Sequence, residues 1–152
     1  MHKSLQFAIM IFLMSVLAAC SSLDSAPPLP ESESPQVFIP NVTSQQVAEH
    51  IRAAKRRIGL RMDSATDDKL VFAMPLQSSG WQAAFAGAGN IAKREAILHY
   101  WLQPQNSGVR VVSRVESRNT FKNGNVATFD STSKYVIDMT KELDELRDLL
   151  KR

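Results

Sequence analysis

Seven consecutive residues in the middle of this chain, Ala96-Ile97-Leu98-His99-Tyr100-Trp101-Leu102, leave no polar face. In an extended strand side chains alternate between the two sides. Ala96, Leu98, Tyr100 and Leu102 then share one side, and Ile97, His99 and Trp101 the other. A strand with one wetted side shows clean alternation, so this segment predicts a strand inside a sheet, with a core on one side and an aromatic surface on the other. Val109 to Arg118 supplies its neighbour, across the breakers Pro104, Asn106 and Gly108. Setting Leu102 opposite Val109 places Tyr100 against Val111, Trp101 against Arg110 and Ile97 against Arg114. The second face then carries Trp101, Arg110, Arg114 and Ile97, and Trp and Arg are enriched at binding hot spots. Arg110 over Trp101 forms a cation–π pair in this register. Arginine stems covering an exposed ladder give the same pattern, and both readings stay open.

The flanking segments supply the rest of an α+β domain. Thr43, Ser44, Gln45 and Gln46 form a capping box, with Val42 and Val47 as the hydrophobic staple. Val47, Ile51, Ala54 and Ile58 then mark one helical face, which Gly59 ends. Lys55, Arg56 and Arg57 sit in the last turn, where cations complement the helix dipole. Leu60 and Met62, then Leu70, Phe72 and Met74, alternate around the turn Ala65-Thr66-Asp67-Asp68 and predict a hairpin. Asn123-Gly124 is a further turn signal. From Ser131 onward Val136, Met139, Leu143, Leu146 and Leu150 recur at helical spacing. The expected architecture is α-β-β-β-β-α over residues 42–152: an antiparallel sheet of four strands, or five if Val126–Phe129 joins, with two helices on one face. This order is similar, at low specificity, to helix-grip and related small periplasmic domains.

Before that domain lie two segments without its patterning. His2 and Lys3 precede the apolar run Leu5–Leu17, followed by Ala18, Ala19 and Cys20. A basic end, a short apolar core and small residues are the grammar of a signal peptide, which does not belong to the fold. The run is shorter than the roughly 20 residues a spanning helix needs. Leu17-Ala18-Ala19-Cys20 resembles the lipobox of bacterial lipoproteins, and Cys20 is the only cysteine of the chain. The resemblance covers about the first 22 residues, and it implies removal of residues 1–19 and acylation of Cys20, hence a membrane partner held through acyl chains. An ordinary secretory signal cleaved near Ala19, leaving Cys20 a free thiol, is the alternative. Ser21 and Ser22 follow, with no Asp at the position that resembles an inner-membrane retention signal, so the expected location is the outer membrane, facing the periplasm. Residues 20–41 hold five of the seven prolines, and read as a semi-extended linker.

Little else carries chemistry. A net charge of +3 is too small for the basic footprint of a nucleic-acid binder. Neither His50 nor His99 has a histidine or cysteine at ligand spacing, so no metal is expected. The string Gly87-Ala88-Gly89-Asn90-Ile91-Ala92 fits a dinucleotide fingerprint, yet a strand follows where a helix is needed. No nucleophile has an evident base, so neither enzyme activity nor a cofactor is expected. The segment Trp81–Asn90, with Trp81 and Phe85, reads as a long loop offering a second contact surface. The leading expectation is a tethered, non-enzymatic module that binds an envelope protein. The alternative is a carrier or sensor of a small apolar or lipid-like ligand, lined by Met62, Phe72, Met74, Tyr100 and Met139.

Overall fold

A computed structural model of the chain describes residues 34–76 and 90–151. Cys20, Trp81 and Phe85 lie outside the described residues, as do the signal segment and most of the linker. The elements are β1 (Gln36–Pro40), α1 (Ser44–Arg57), β2 (Arg61–Ala65), β3 (Lys69–Pro75), β4 (Ile91–Gln105), β5 (Gly108–Phe121), β6 (Val126–Asp130) and α2 (Thr132–Leu150). The strands form one six-stranded antiparallel sheet in the order β1-β5-β4-β3-β2, with β6 also paired to β5. β1 takes Gly108–Val112 of β5 and β6 takes Glu116–Thr120, so the two short strands share one edge end to end.

The fold class is thus α+β with an antiparallel sheet, but with six strands in place of four or five. The added strand is β1, which the proline content assigns to the linker. Pro35 and Pro40 bracket it, and an edge strand tolerates proline because one side of its backbone has no ladder to feed. Its alternation is clean: Val37 and Ile39 are buried, while Gln36 and Phe38 are exposed. The folded domain therefore begins ahead of residue 42, and the order among the described residues is β-α-β-β-β-β-β-α.

One core lies between the sheet and both helices. Leu70, Phe72, Ala96, Leu98, Tyr100, Leu102, Val109, Val111, Val115, Val37 and Ile39 face inward from the strands. Val47, Ala48 and Ile51 of α1 and Met139 and Leu143 of α2 close over them. α1 starts as its sequence dictates: Gln46 N donates to Thr43 Oγ1, and Thr43 N donates to Gln46 Oε1, which satisfies two N–H groups that a helix start leaves free. Gly59, at φ +77°, ends it.

The long β4–β5 hairpin is the frame. Its register pairs Leu102 with Val111, Trp101 with Val112 and His99 with Arg114, two residues from the expected one. The strands run through Pro104 to a turn at Asn106 and Ser107, closing on Gln105 opposite Gly108. Leu102 N donates toward the β3 side, to Asp68 O, so the nitrogen of Pro104 points to the same side, past Lys69, where β3 has begun to pair only at Trp101. No ladder bond is lost there. Because the shift is two residues, every side chain keeps its face and only its partner changes.

Where β1 and β6 meet along β5, the backbone of Val115 would have no strand beside it. Thr132 fills the gap: its hydroxyl accepts from Val115 N and donates to Val115 O, and Ser131 N donates to Val115 O as well. Thr132 is buried, consistent with the cost of leaving such groups unpaired.

Candidate functional site

The sheet face opposite the helices carries the chemically distinctive side chains. Rows across the strands bring together Phe38, Arg110 and Gln103; then Gln36, Val112, Trp101 and Lys69; then Arg114, His99 and Val71; then Asp130, Glu116, Ile97 and Ala73. Trp101 and His99, two residues apart on β4, are stacked with ring centroids 5.4 Å apart and planes 16° from parallel. The cation at Trp101 is Lys69, whose Nζ lies 5.0 Å from the ring centroid, and not Arg110. The correction follows from the register: Lys69 is directly opposite Trp101 on β3, whereas Arg110 is opposite Gln103 on one side and Phe38 on the other. Phe38 and Arg110 form a non-hydrogen-bonded cross-strand pair, the type with the closest side chains. Phe38 is 38% exposed, and Arg110, Trp101 and Lys69 are half-buried.

Two residues expected on this surface belong to its interior. Ile97 is buried with Val71 and Ala73 in a small cluster of its own. Arg114 is 6% exposed, and its guanidinium lies 3.5 Å from Asp130 Oδ2 and 3.7 Å from Glu116 Oε1. The carboxylates that hold it are Glu116, two residues along β5 on the same face, and Asp130 of β6, which alternation within β5 alone does not show. His99 Nε2 stands 3.2 Å from Glu116 Oε2. The His99 ring holds Glu116 below the usual carboxylate range, against the opposing effect of burial. Asp130 is also held low: burial opposes this, but hydrogen bonding from Thr132 and the charge of Arg114 outweigh it.

At the far end of the same face lies an ionic network. Arg118 donates to Glu95 Oε2 at 2.9 Å through Nη2 and to Asp63 Oδ2 at 3.0 Å through Nη1. Arg61 lies 2.9 Å from Asp63, and Lys93 lies 2.7 Å from Glu95. Asp63 is held low chiefly by its hydrogen bond from Arg118. Glu95, 4% exposed, is pushed up by burial but pulled further down by Lys93 and Arg118. Carboxylates with depressed folded values stabilise the fold above their unfolded values, near 3.8 for Asp and 4.5 for Glu, and lose that contribution as pH falls through the folded ones. Arg118→Met is therefore expected to cost about 2 kcal/mol at pH 7, as for a lost hydrogen bond to a charged group, and less at pH 3, below both unfolded values. Urea midpoints at the two pH values check it, and an equal loss at both removes the network from the stability of the fold.

Four of the five residues proposed to line a ligand cavity, Phe72, Met74, Tyr100 and Met139, meet in or against the main core. Phe72, Tyr100 and Met139 are packed in the main core, with Phe72 and Tyr100 edge to face at 6.1 Å, while Met62 is 39% exposed. Among the described residues no group of three or more His, Cys, Asp or Glu is placed to hold a metal ion, and no helix is long and apolar enough to cross a membrane. Ile91 opens β4 directly after Asn90, so a strand stands where a nucleotide fingerprint needs a helix. Sequence reasoning missed Phe38 and Lys69. The signal for Phe38 was its place between Val37 and Ile39, obscured by the flanking prolines.

No family model matches this chain, and no curated protein or solved structure matches it either.

Proposed function

We propose that this chain is a lipid-anchored, non-enzymatic docking module of the bacterial cell envelope, acylated at Cys20 and held at the outer membrane on its periplasmic side. The observation that supports the docking reading is the pairing of Phe38 with Arg110 and of Trp101 with Lys69 on the sheet face opposite α1 and α2. These side chains are not needed to fill the main core, and aromatic and arginine groups with apolar bodies and polar ends suit a protein contact. A tether raises the local concentration of such a surface near membrane-bound partners, so a modest interface suffices.

Chemical crosslinking in cells, read by mass spectrometry of the membrane-extracted chain, tests both parts. The expected result is a diacylglycerol-bearing Cys20 and one envelope protein crosslinked near Phe38 or Trp101. Trp101→Ala and Arg110→Ala are each expected to lower that crosslink at least about fivefold, in line with losses above 1 kcal/mol at hot spots. An unmodified Cys20 removes the anchor, and a crosslink indifferent to both substitutions removes this face.

A further inference from the structure

The two edges of the sheet are built differently. β2 is exposed throughout, but a bulge interrupts its register between Met62 and Ser64, and Arg61 and Asp63 turn onto the sheet face to pair with Glu95 and Arg118. Bulges and charges of this kind stop a further strand from adding. β6 has no bulge, and its one charged residue, Asp130, is held by Thr132 and Arg114. Its five residues, Val126-Ala127-Thr128-Phe129-Asp130, pair with β5 in unbroken register and contain no Lys or Arg. Val126 is 57% exposed and Phe129 56%.

The direction of its free hydrogen-bonding groups follows from two bonds. Phe121 N donates to Asn125 O at 2.8 Å, and Ser131 N to Val115 O at 2.9 Å. Bonded and non-bonded pairs alternate along an antiparallel ladder, so Ala127 and Phe129 face β5 and bond Asn119 and Ser117. Val126, Thr128 and Asp130 then aim their N–H and C=O groups away from the sheet, where no described strand lies.

We propose that the outer side of β6 receives an extended segment of a partner protein, which adds to the sheet as a further strand. This rests on the docking reading and gives the partner's chemistry. Outward donors and acceptors at every second residue repeat about every 6.8 Å along a strand, a spacing that another extended backbone matches and a helix does not. Val126 presents an apolar contact on the face opposite α1 and α2 and Phe129 on the face that carries them, so the incoming strand carries apolar side chains on both sides. Asp130 is already held by Thr132 and Arg114 and adds no positive-charge requirement.

The test is a random decapeptide display library selected on the full chain in detergent. Enriched peptides are expected to be β-branched and aromatic, to slow amide exchange at Val126 and Thr128, and to lose binding when alternate peptide nitrogens are methylated. Thr128→Pro removes an outward N–H without touching a bond to β5, and is expected to weaken those peptides roughly tenfold or more, as for one or two lost hydrogen bonds with steric obstruction. Peptide methylation reads the same contact on the unaltered protein, so a folding defect in the proline variant does not decide the matter. No enriched peptide, or peptides indifferent to both changes, overturns the assignment. Self-association of the chain that Thr128→Pro abolishes overturns it in favour of a second copy. Failure of the cellular crosslink alone removes the docking reading and leaves the library result standing by itself.

Discussion

Glu142→Ala is expected to cost about 3 kcal/mol, the low end of the range for breaking a buried ion pair. Glu142, on α2, ties three elements together. Its Oε2 lies 2.6 Å from Lys55 Nζ of α1, and its Oε1 accepts from the Tyr100 hydroxyl of β4 at 2.7 Å. Lys55 Nζ also sits 5.3 Å from the centroid of the Tyr100 ring. The Lys55 side chain is 5% exposed and Tyr100 is fully buried, so removing the carboxylate leaves an ammonium and a phenol without their partner. Glu142 itself is 38% exposed, and water reaching the vacated site keeps the loss from being larger. Burial first, and the neighbouring Glu142 carboxylate second, push the Tyr100 phenol well above its usual range, so it remains a donor wherever the fold is stable. Urea unfolding should show a lower midpoint with an unchanged slope. The double variant Lys55→Met with Glu142→Leu should recover part of the loss, because no unpaired charge remains although the buried Tyr100 hydroxyl still lacks its acceptor. A double variant as weak as Glu142→Ala would mean that shape, and not charge, holds the helices here.

Gly108→Ala is expected to unseat β1 at a cost of about 3 kcal/mol, the upper part of the range for overpacking. A Cβ at residue 108 would stand 2.1 Å from Ile39 O and 2.8 Å from Pro40 Cα. Both are backbone atoms, so no side-chain rotation relieves the clash. Either β1 lifts away at its Pro40 end or the β4–β5 turn shifts. Lifting withdraws Ile39, fully buried, from the core. Asn41 N donates to Ser107 O and Ser113 N to Pro35 O, which places Val109 and Val111 N–H in the ladder to β1. Hydrogen exchange should therefore speed up at Val109 and Val111 while amides shared by β3 and β4 stay protected. Unchanged exchange at those two positions would show that β1 accommodates the methyl group.

The parts of this fold legible in the sequence are those where periodicity and punctuation agree. α1 carries its cap box and its stop, α2 a heptad-like stripe, and β2 and β3 flank a polar turn. The two-sided apolar run of β4 marks an interior strand, which it is. What escaped depends on long-range partners. β1 is five residues between prolines, and only the open side of β5 makes it a strand. Pro104 reads as a breaker, yet it lies in β4 beyond the reach of β3, and the register moved by two as a result. On the outer face, parity alone placed Trp101, Arg110, Arg114 and Ile97 together. Which of them meet solvent depends also on Asp130 of β6, Glu116 of β5 itself, and Val71 and Ala73 of β3.

The position of β1 also bears on the order of folding. Ile39 and Val109 are directly paired although about 70 residues separate them, and closing so long a loop is entropically dear and slow beside a local hairpin. The β4–β5 hairpin must be complete before β1 has anywhere to bind. The strand that follows the proposed tether is therefore among the last to be incorporated. A chain emerging amino terminus first would hold its Val37 and Ile39 exposed until Gly108–Val112 of β5 has followed.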